Sequence, residues 1–214
     1  VMVLMRSRYK FVYLQNVPFT SKTTVYAHHL AFRYFGGVPK KVVYDQDRRM
    51  LVNENYGDYV MTDEFAKYVK SVCFEPVFCM PYDPASKGQS EAVVKYVKNN
   101  FLAGRTYVSI DSLNDEAIGW LERTGNGKVN SSTRLVPAEE FKTERLELMP
   151  YVETMEEPEL EAREYSIRKD NTLLYHSNFY SLPLGTYDGP GSKVLVVKDV
   201  DNNELEIYDP KDFS

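Results

Sequence analysis

Cysteine is scarce: Cys73 and Cys79 are the two thiols in 214 residues. A disulfide framework is therefore not expected, and a reducing, cytoplasmic compartment is. With His28, His29 and His176 as the three histidines, the chain also offers too few soft ligands for a zinc site. Long apolar runs are missing as well. Nothing approaches the roughly 18 consecutive apolar residues that a membrane span needs, so no membrane partner is expected. Internal repeats and low-complexity tracts are absent, and 43% hydrophobic content predicts packed cores.

The net charge of −5 argues against a polyanionic partner until its distribution is read. Residues 1–136 hold 18 Lys and Arg against 13 Asp and Glu, residues 137–164 hold 3 against 10, and residues 165–214 hold 5 against 8. A basic first region is thus followed by an acidic segment and a mildly acidic end. The basic region is where a polyanion would bind.

The hydrophobic pattern divides the chain in the same places. Val1–Met5 and Phe11–Gln15 predict two antiparallel strands joined by a turn over Arg6–Lys10. A helix is expected from Thr20 or Ser21 to Phe35, stopped by Gly36-Gly37 and Pro39. Lys41–Tyr44 predicts a buried strand that ends on Asp45. Thr62–Val72 predicts a helix, Phe74–Met80 a strand, and Pro81–Gly88 a loop. Further helices are expected from Ser90 to Leu102, opened by Glu91, and from Ser112 to Arg123, with Ser112 and Asp115 as a capping box. An acidic helix and linker is expected over 137–164. Beyond it, five short strands separated by Asn, Asp and Gly clusters predict a small β-barrel over 165–214.

Several phrases carry a resemblance: Phe35-Gly36-Gly37-Val38-Pro39, Val42-Val43-Tyr44-Asp45-Gln46, Asp83-Pro84-Ala85-Ser86-Lys87-Gly88-Gln89-Ser90-Glu91, and Thr133-Arg134-Leu135-Val136-Pro137-Ala138-Glu139. They resemble those of IstA-type insertion-sequence transposases, in the retroviral-integrase and ribonuclease H-like superfamily. Asn178-Phe179-Tyr180-Ser181-Leu182-Pro183 is similar to the β-barrel after the catalytic core in that family and in the Mu-type transposases. The resemblance implies an α/β fold: a ribonuclease H-like core over 1–136, with a mixed sheet flanked by helices, then the barrel. It also implies a DDE triad whose second Asp is Asp45 and whose Glu is Glu91, with 45 residues between them.

The first Asp of the family falls on a strand ahead of Val1, so an upstream part is expected in the full protein and this portion is expected to be inactive alone. The family position after the second Asp is often Asn, and here it is Gln46. The resemblance further implies double-stranded DNA as partner, a homo-multimer on DNA, and an AAA+ ATPase helper.

Carboxylates suit that chemistry. Cleavage and joining of DNA strands are in-line displacements, activated by two Mg²⁺ ions about 3.5–4 Å apart, which Mn²⁺ can replace. Hard cations take oxygen ligands. The Asp45 and Glu91 carboxylates are accordingly expected within about 12 Å of each other. Lys95 and Lys98 follow Glu91 at i+4 and i+7, and Lys87 precedes it, so these lysines are the candidates for phosphate contact. Val93, Val94, Val97 and Phe101 are expected to face the core.

Each candidate has a plainer reading: Asp45 as a turn residue, Glu91 as a first-turn acid paired with Lys95, the lysines as a solvated face. Asp47 is the main competitor of Asp45. Arg6, Arg8, Lys10, Arg48 and Arg49 are weaker phosphate candidates, and His28 and His29 are expected to pack without chemistry. A second reading of the whole chain is a non-catalytic, integrase-like DNA-binding or scaffold protein.

Overall fold

A computed structural model describes residues 1–44, 50–55, 58–79, 84–152, 158, 160–199 and 204–211. They form a mixed α/β chain with five α-helices and several small sheets. Two compact units separate, Val1–Asn16 with Ser21–Glu156, and Val17–Thr20 with Glu157–Ser214.

In the first unit, β1 (Met2–Val3) and β2 (Lys10–Phe11) pair antiparallel, Met2 opposite Phe11. The ladder is shorter than the apolar runs predict because side chains replace it. The Asn126 amide accepts from the Lys10 N–H at 2.8 Å and donates to the Lys10 carbonyl at 2.9 Å. Asn114 does the same for Leu14, at 2.9 Å in both directions. Lys10 and Leu14 thus have their backbone groups satisfied on one edge without a neighbouring strand.

Helix α1 (Ser21–Phe35) buries Val25, His28, Phe32 and Phe35 along one stripe. Its end explains the two glycines. The Gly36 N–H bonds the Arg33 carbonyl at 3.1 Å and the Gly37 N–H bonds that of Phe32 at 3.0 Å, with Gly36 at φ +68°. Gly37 is needed for a different reason: a Cβ there would lie 2.7 Å from Leu148 Cβ and 2.9 Å from the Met149 carbonyl oxygen. That close approach lets Val38 and Met149 exchange two backbone hydrogen bonds of 2.8 Å.

Strand β3 (Lys41–Tyr44) runs parallel to β6 (Glu75–Phe78). Burial along β3 alternates, with Lys41 and Val43 exposed and Tyr44 buried. The continuous burial expected from the apolar run is therefore corrected: only one face of this pair is covered among the described residues. Between them, β4 (Leu51–Asn55) and β5 (Asp58–Met61) form an antiparallel hairpin that the sequence pattern did not suggest. Helix α2 (Asp63–Val72) starts where expected, its Thr62 hydroxyl accepting from the Phe65 N–H.

Helix α3 (Pro84–Val97) begins six residues earlier than Ser90. The turn formers of this stretch suggested a loop. Proline, however, suits the first helical position, where its missing N–H costs no bond. A π-helical turn, Lys98–Leu102, continues it and closes with the Ala103 N–H on the Lys98 carbonyl at 2.9 Å. Helix α4 (Ile110–Trp120) is capped by Ser109, which accepts from the Ser112 N–H at 3.1 Å, so Ser112 is not the cap. A second π-helical turn follows, Leu121–Gly125. Helix α5 (Pro137–Glu144) belongs to this unit, with Phe141 stacked on Tyr9 at 4.1 Å.

The core of the unit has two parts. Phe32, Phe35, Val38, Phe65 and Phe74 pack between α1, α2 and the parallel pair. Val12, Val97, Phe101, Ala117, Trp120 and Leu121 form the other, around the two π turns.

In the second unit, β7 (Leu160–Ser166), β10 (Lys193–Asp199) and β11 (Glu204–Tyr208) form an antiparallel sheet with β10 central. Strand β7 starts five residues before the expected Tyr165. Its first residues read as acidic linker, yet they pair with β10 as far as Leu160 opposite Asp199. Strands β8 (Thr172–Tyr175) and β9 (Asn178–Ser181) form a hairpin. Ile167, Leu173, Tyr175, Val194 and Val196 fill the core, and the Tyr208 hydroxyl donates to the Phe19 carbonyl at 3.0 Å.

The β8–β9 turn holds His176 at φ +44° and Ser177 at φ +67°, a left-handed pair of the kind that glycine normally serves in two-residue hairpins. Ser177→Gly should stabilise this unit by about 1 kcal/mol, seen as a higher midpoint in denaturant unfolding. An unchanged midpoint would mean the turn carries no strain.

Candidate functional site

The sequence reading puts the site at the end of the parallel pair. The C-terminal ends of β3 and β6 lie side by side, Tyr44 opposite Phe78, and the Cys79 N–H bonds the Tyr44 carbonyl at 2.9 Å. Ligands of α/β proteins gather outside such carboxyl ends. Asp45, the next residue after β3, lies outside the described residues, as do Asp47, Arg48 and Arg49. Under the strand end, the Tyr44 ring is buried between His28, at 5.4 Å, and Phe65, at 5.4 Å.

Glu91 stands in the middle of α3 rather than opening it, a consequence of the earlier start at Pro84. Its side chain is exposed, as are those of Lys95 and Lys98. Lys87 occupies the same helix, four residues before Glu91, and its side chain lies outside the described part. At 100° per residue, positions 87, 91, 95 and 98 fall on one face over roughly 16 Å of helix.

Neither Glu91 nor Lys95 nor Lys98 has an ion-pair or side-chain hydrogen-bond partner among the described residues, so the pairing of Glu91 with Lys95 is not formed. Val97 and Phe101 are buried as expected, whereas Val94 is exposed. The helix turns a narrower stripe inward than the apolar spacing predicts.

Among the described residues no group of three or more His, Cys, Asp or Glu is placed to hold a metal ion. The pair suggested by the sequence includes Asp45, beyond that set. Glu91 carries a hard oxygen donor of the type a Mg²⁺ ion takes, open to solvent and without a partner among the described residues. No helix of the described residues is long and apolar enough to cross a membrane.

Lys10 is not a phosphate contact. It is 5% exposed, and its ammonium donates to the carbonyls of Gly125 at 2.8 Å and Arg8 at 2.9 Å. Burial, with the Arg8 charge, lowers its pKa to about 8. No sequence signal announced this, because the partner Asn126 sits in a Gly-Asn-Gly stretch that reads as an ordinary turn. Asn126 is itself buried, reaches the Tyr34 hydroxyl at 3.3 Å, and closes the second π turn through its N–H on the Leu121 carbonyl at 2.7 Å.

The backbone N–H groups of Arg6 and Ser7 are held by the Glu144 carboxylate at 3.2 and 2.8 Å. His28 donates from Nδ1 to the Thr24 carbonyl at 2.6 Å, and burial lowers its pKa to about 4, so it is neutral at neutral pH. His29 meets the Tyr151 hydroxyl.

A transposase for an IS21-like insertion sequence element of Bacteroides fragilis is 52% identical over 192 residues, 90% of this chain. The chain is a homologue of IS21-type transposases. It covers 37% of that relative. The transposase for insertion sequence element IS21 of Pseudomonas aeruginosa is 28% identical over 182 residues, 83% of this chain and 45% of its own length. The chain thus spans roughly two-fifths of the curated relatives it matches.

No family model matches. Among solved structures, a chain of the simian T-cell lymphotropic virus intasome in complex with PP2A regulatory subunit B56 gamma is similar at a TM-score of 0.44. The identity is 14%, over 91% of this chain and 63% of that one.

Proposed function

We propose that this chain is the catalytic core and following barrel of a DNA transposase that cuts and joins DNA ends by a DDE mechanism. The observation that carries the reading is 52% identity to an IS21-like transposase across nine-tenths of the chain. Residues 1–136 are the ribonuclease H-like core, the acidic helix α5 belongs to the same unit, and the barrel begins with β7 at Leu160. The sheet pairs found are compatible with such a core: an antiparallel β1–β2, then β3 parallel to β6, then a helix bearing Glu91.

In this reading Asp45 and Glu91 would hold the divalent ions as two of the three carboxylates of the triad. Two Mg²⁺ ions, with Mn²⁺ as substitute, would supply activation of the attacking water or 3′-hydroxyl and stabilisation of the leaving oxygen. The chain's own groups bind and orient. Lys95 and Lys98, without partners among the described residues, neutralise DNA phosphates along α3 and the start of its π turn, and Lys87 extends that row. The partners are double-stranded DNA and further copies of the protein assembled on it.

The test uses the full-length protein on DNA with pre-cut ends. Strand joining should require Mg²⁺ or Mn²⁺, disappear on chelation, and disappear in Asp45→Asn while DNA binding persists. Metal-dependent cleavage without joining would replace the reading by a nuclease. DNA binding with no metal-dependent chemistry would replace it by a scaffold.

A further inference from the structure

The geometry points to Lys10 as a positioning residue for α3: its ammonium, fixed on two backbone carbonyls, holds the helix that carries Glu91 and Lys95 through the ring of Tyr96. The importance of that helix rests on the catalytic reading above, but the contact stands on its own.

Three features single out Lys10. It is nearly fully buried, and no carboxylate pairs with it among the described residues. An ammonium has three donors. Two are spent on the Gly125 and Arg8 carbonyls, and Nζ lies over the ring of Tyr96, 5.9 Å from its centroid. A cation over an aromatic face is attracted by the ring quadrupole, and more strongly where water is excluded.

The base on which Lys10 stands is rigid. Its own N–H and carbonyl are both held by the Asn126 amide, Gly125 ends the Leu121–Gly125 π turn, and Asn126 closes that turn.

Tyr96 is the point where this base reaches α3. It is adjacent to Lys95, five residues beyond Glu91, and its other neighbour is Trp120 at 5.6 Å. Just past it the helix widens into the Lys98–Leu102 π turn, which breaks the regular α-helical register at that end. The last α-helical turn before the break is met laterally by two contacts. Val97 supplies an apolar one, and the Lys10–Tyr96 contact a directional one. Buried lysines commonly exist to satisfy carbonyls alone, so the ring contact is what the test must isolate.

The experiment compares Lys10→Met, Tyr96→Leu, Tyr96→Phe and the Lys10→Met/Tyr96→Leu double variant in the full-length protein. The first readout is backbone hydrogen exchange of peptides covering 91–97. Exchange should be about tenfold faster in Lys10→Met and in Tyr96→Leu, and unchanged in Tyr96→Phe, which keeps the ring. The double variant should exchange no faster than either single one. The second readout is the Mg²⁺ concentration for half-maximal strand joining, which should rise several-fold in the same order.

If Lys10→Met does not fold, Tyr96→Leu against Tyr96→Phe still decides. Unchanged 91–97 exchange in Tyr96→Leu overturns the proposal and leaves Lys10 a carbonyl plug. Should Glu91→Gln retain strand joining, the catalytic reading falls, while the exchange data still judge Lys10.

Discussion

Glu91→Gln should lower strand joining by roughly a thousandfold while changing DNA affinity by no more than about threefold. A bound metal contributes several kcal/mol of charge stabilisation to a phosphoryl displacement, and each 1.4 kcal/mol is a decade in rate. Replacing the carboxylate by an amide of the same shape removes the charge and leaves the helix alone, since Glu and Gln have similar helix propensity.

The position is suited to a clean measurement. Glu91 is exposed and pairs with no described cation, so its change to Gln removes no ion pair among the described residues. Lys95 and Lys98, the phosphate contacts of the proposed reading, are left unchanged. Gel-shift affinity and joining rates on pre-cut ends, measured on one preparation, separate the two effects. Joining at the wild-type rate would remove Glu91 from the metal site.

The second large effect is on stability. Asn126→Ala should destabilise the first unit by roughly 3–5 kcal/mol, measured by denaturant unfolding. Asn126 is 1% exposed, and its amide serves both the N–H and the carbonyl of Lys10. Truncation leaves two buried backbone groups without partners, and each costs about 1–3 kcal/mol. The Tyr34 hydroxyl loses a donor as well. Water entering the vacated space would soften the loss, so a decrease below about 1 kcal/mol would indicate that the site hydrates readily.

How much of this was legible depended on whether a residue's role was local. Lys41–Tyr44 was read with its true ends because an apolar β run there is bounded by Pro39 and Asp45. Thr62 and the spacing of Phe65, Tyr68 and Val69 announced α2. The β4–β5 hairpin gave no such signal, since Asn53, Glu54 and Asn55 are poor strand formers that hold their place by pairing.

Pro84 was ambiguous in a different way: the same residue opens turns and helices, and the choice moved Glu91 from the start of α3 to its middle. The node of Lys10, Asn126 and Tyr34 was illegible because its members are far apart in sequence and each looks ordinary alone. For Asp45 and Glu91, composition offered only two acids among many. The family phrases around them singled them out.

Asn114 and Asn126 have a bearing on solubility. A strand edge with unfilled backbone groups is a template on which another chain can grow a sheet. On the segment from Lys10 to Leu14 two such positions are taken by side-chain amides, each bonding both ways. An amide imitates one residue of a neighbouring strand and then stops, so it ends the sheet instead of extending it. At Lys10 and Leu14 the backbone is therefore closed to a further strand, whatever other copies of the chain come near it.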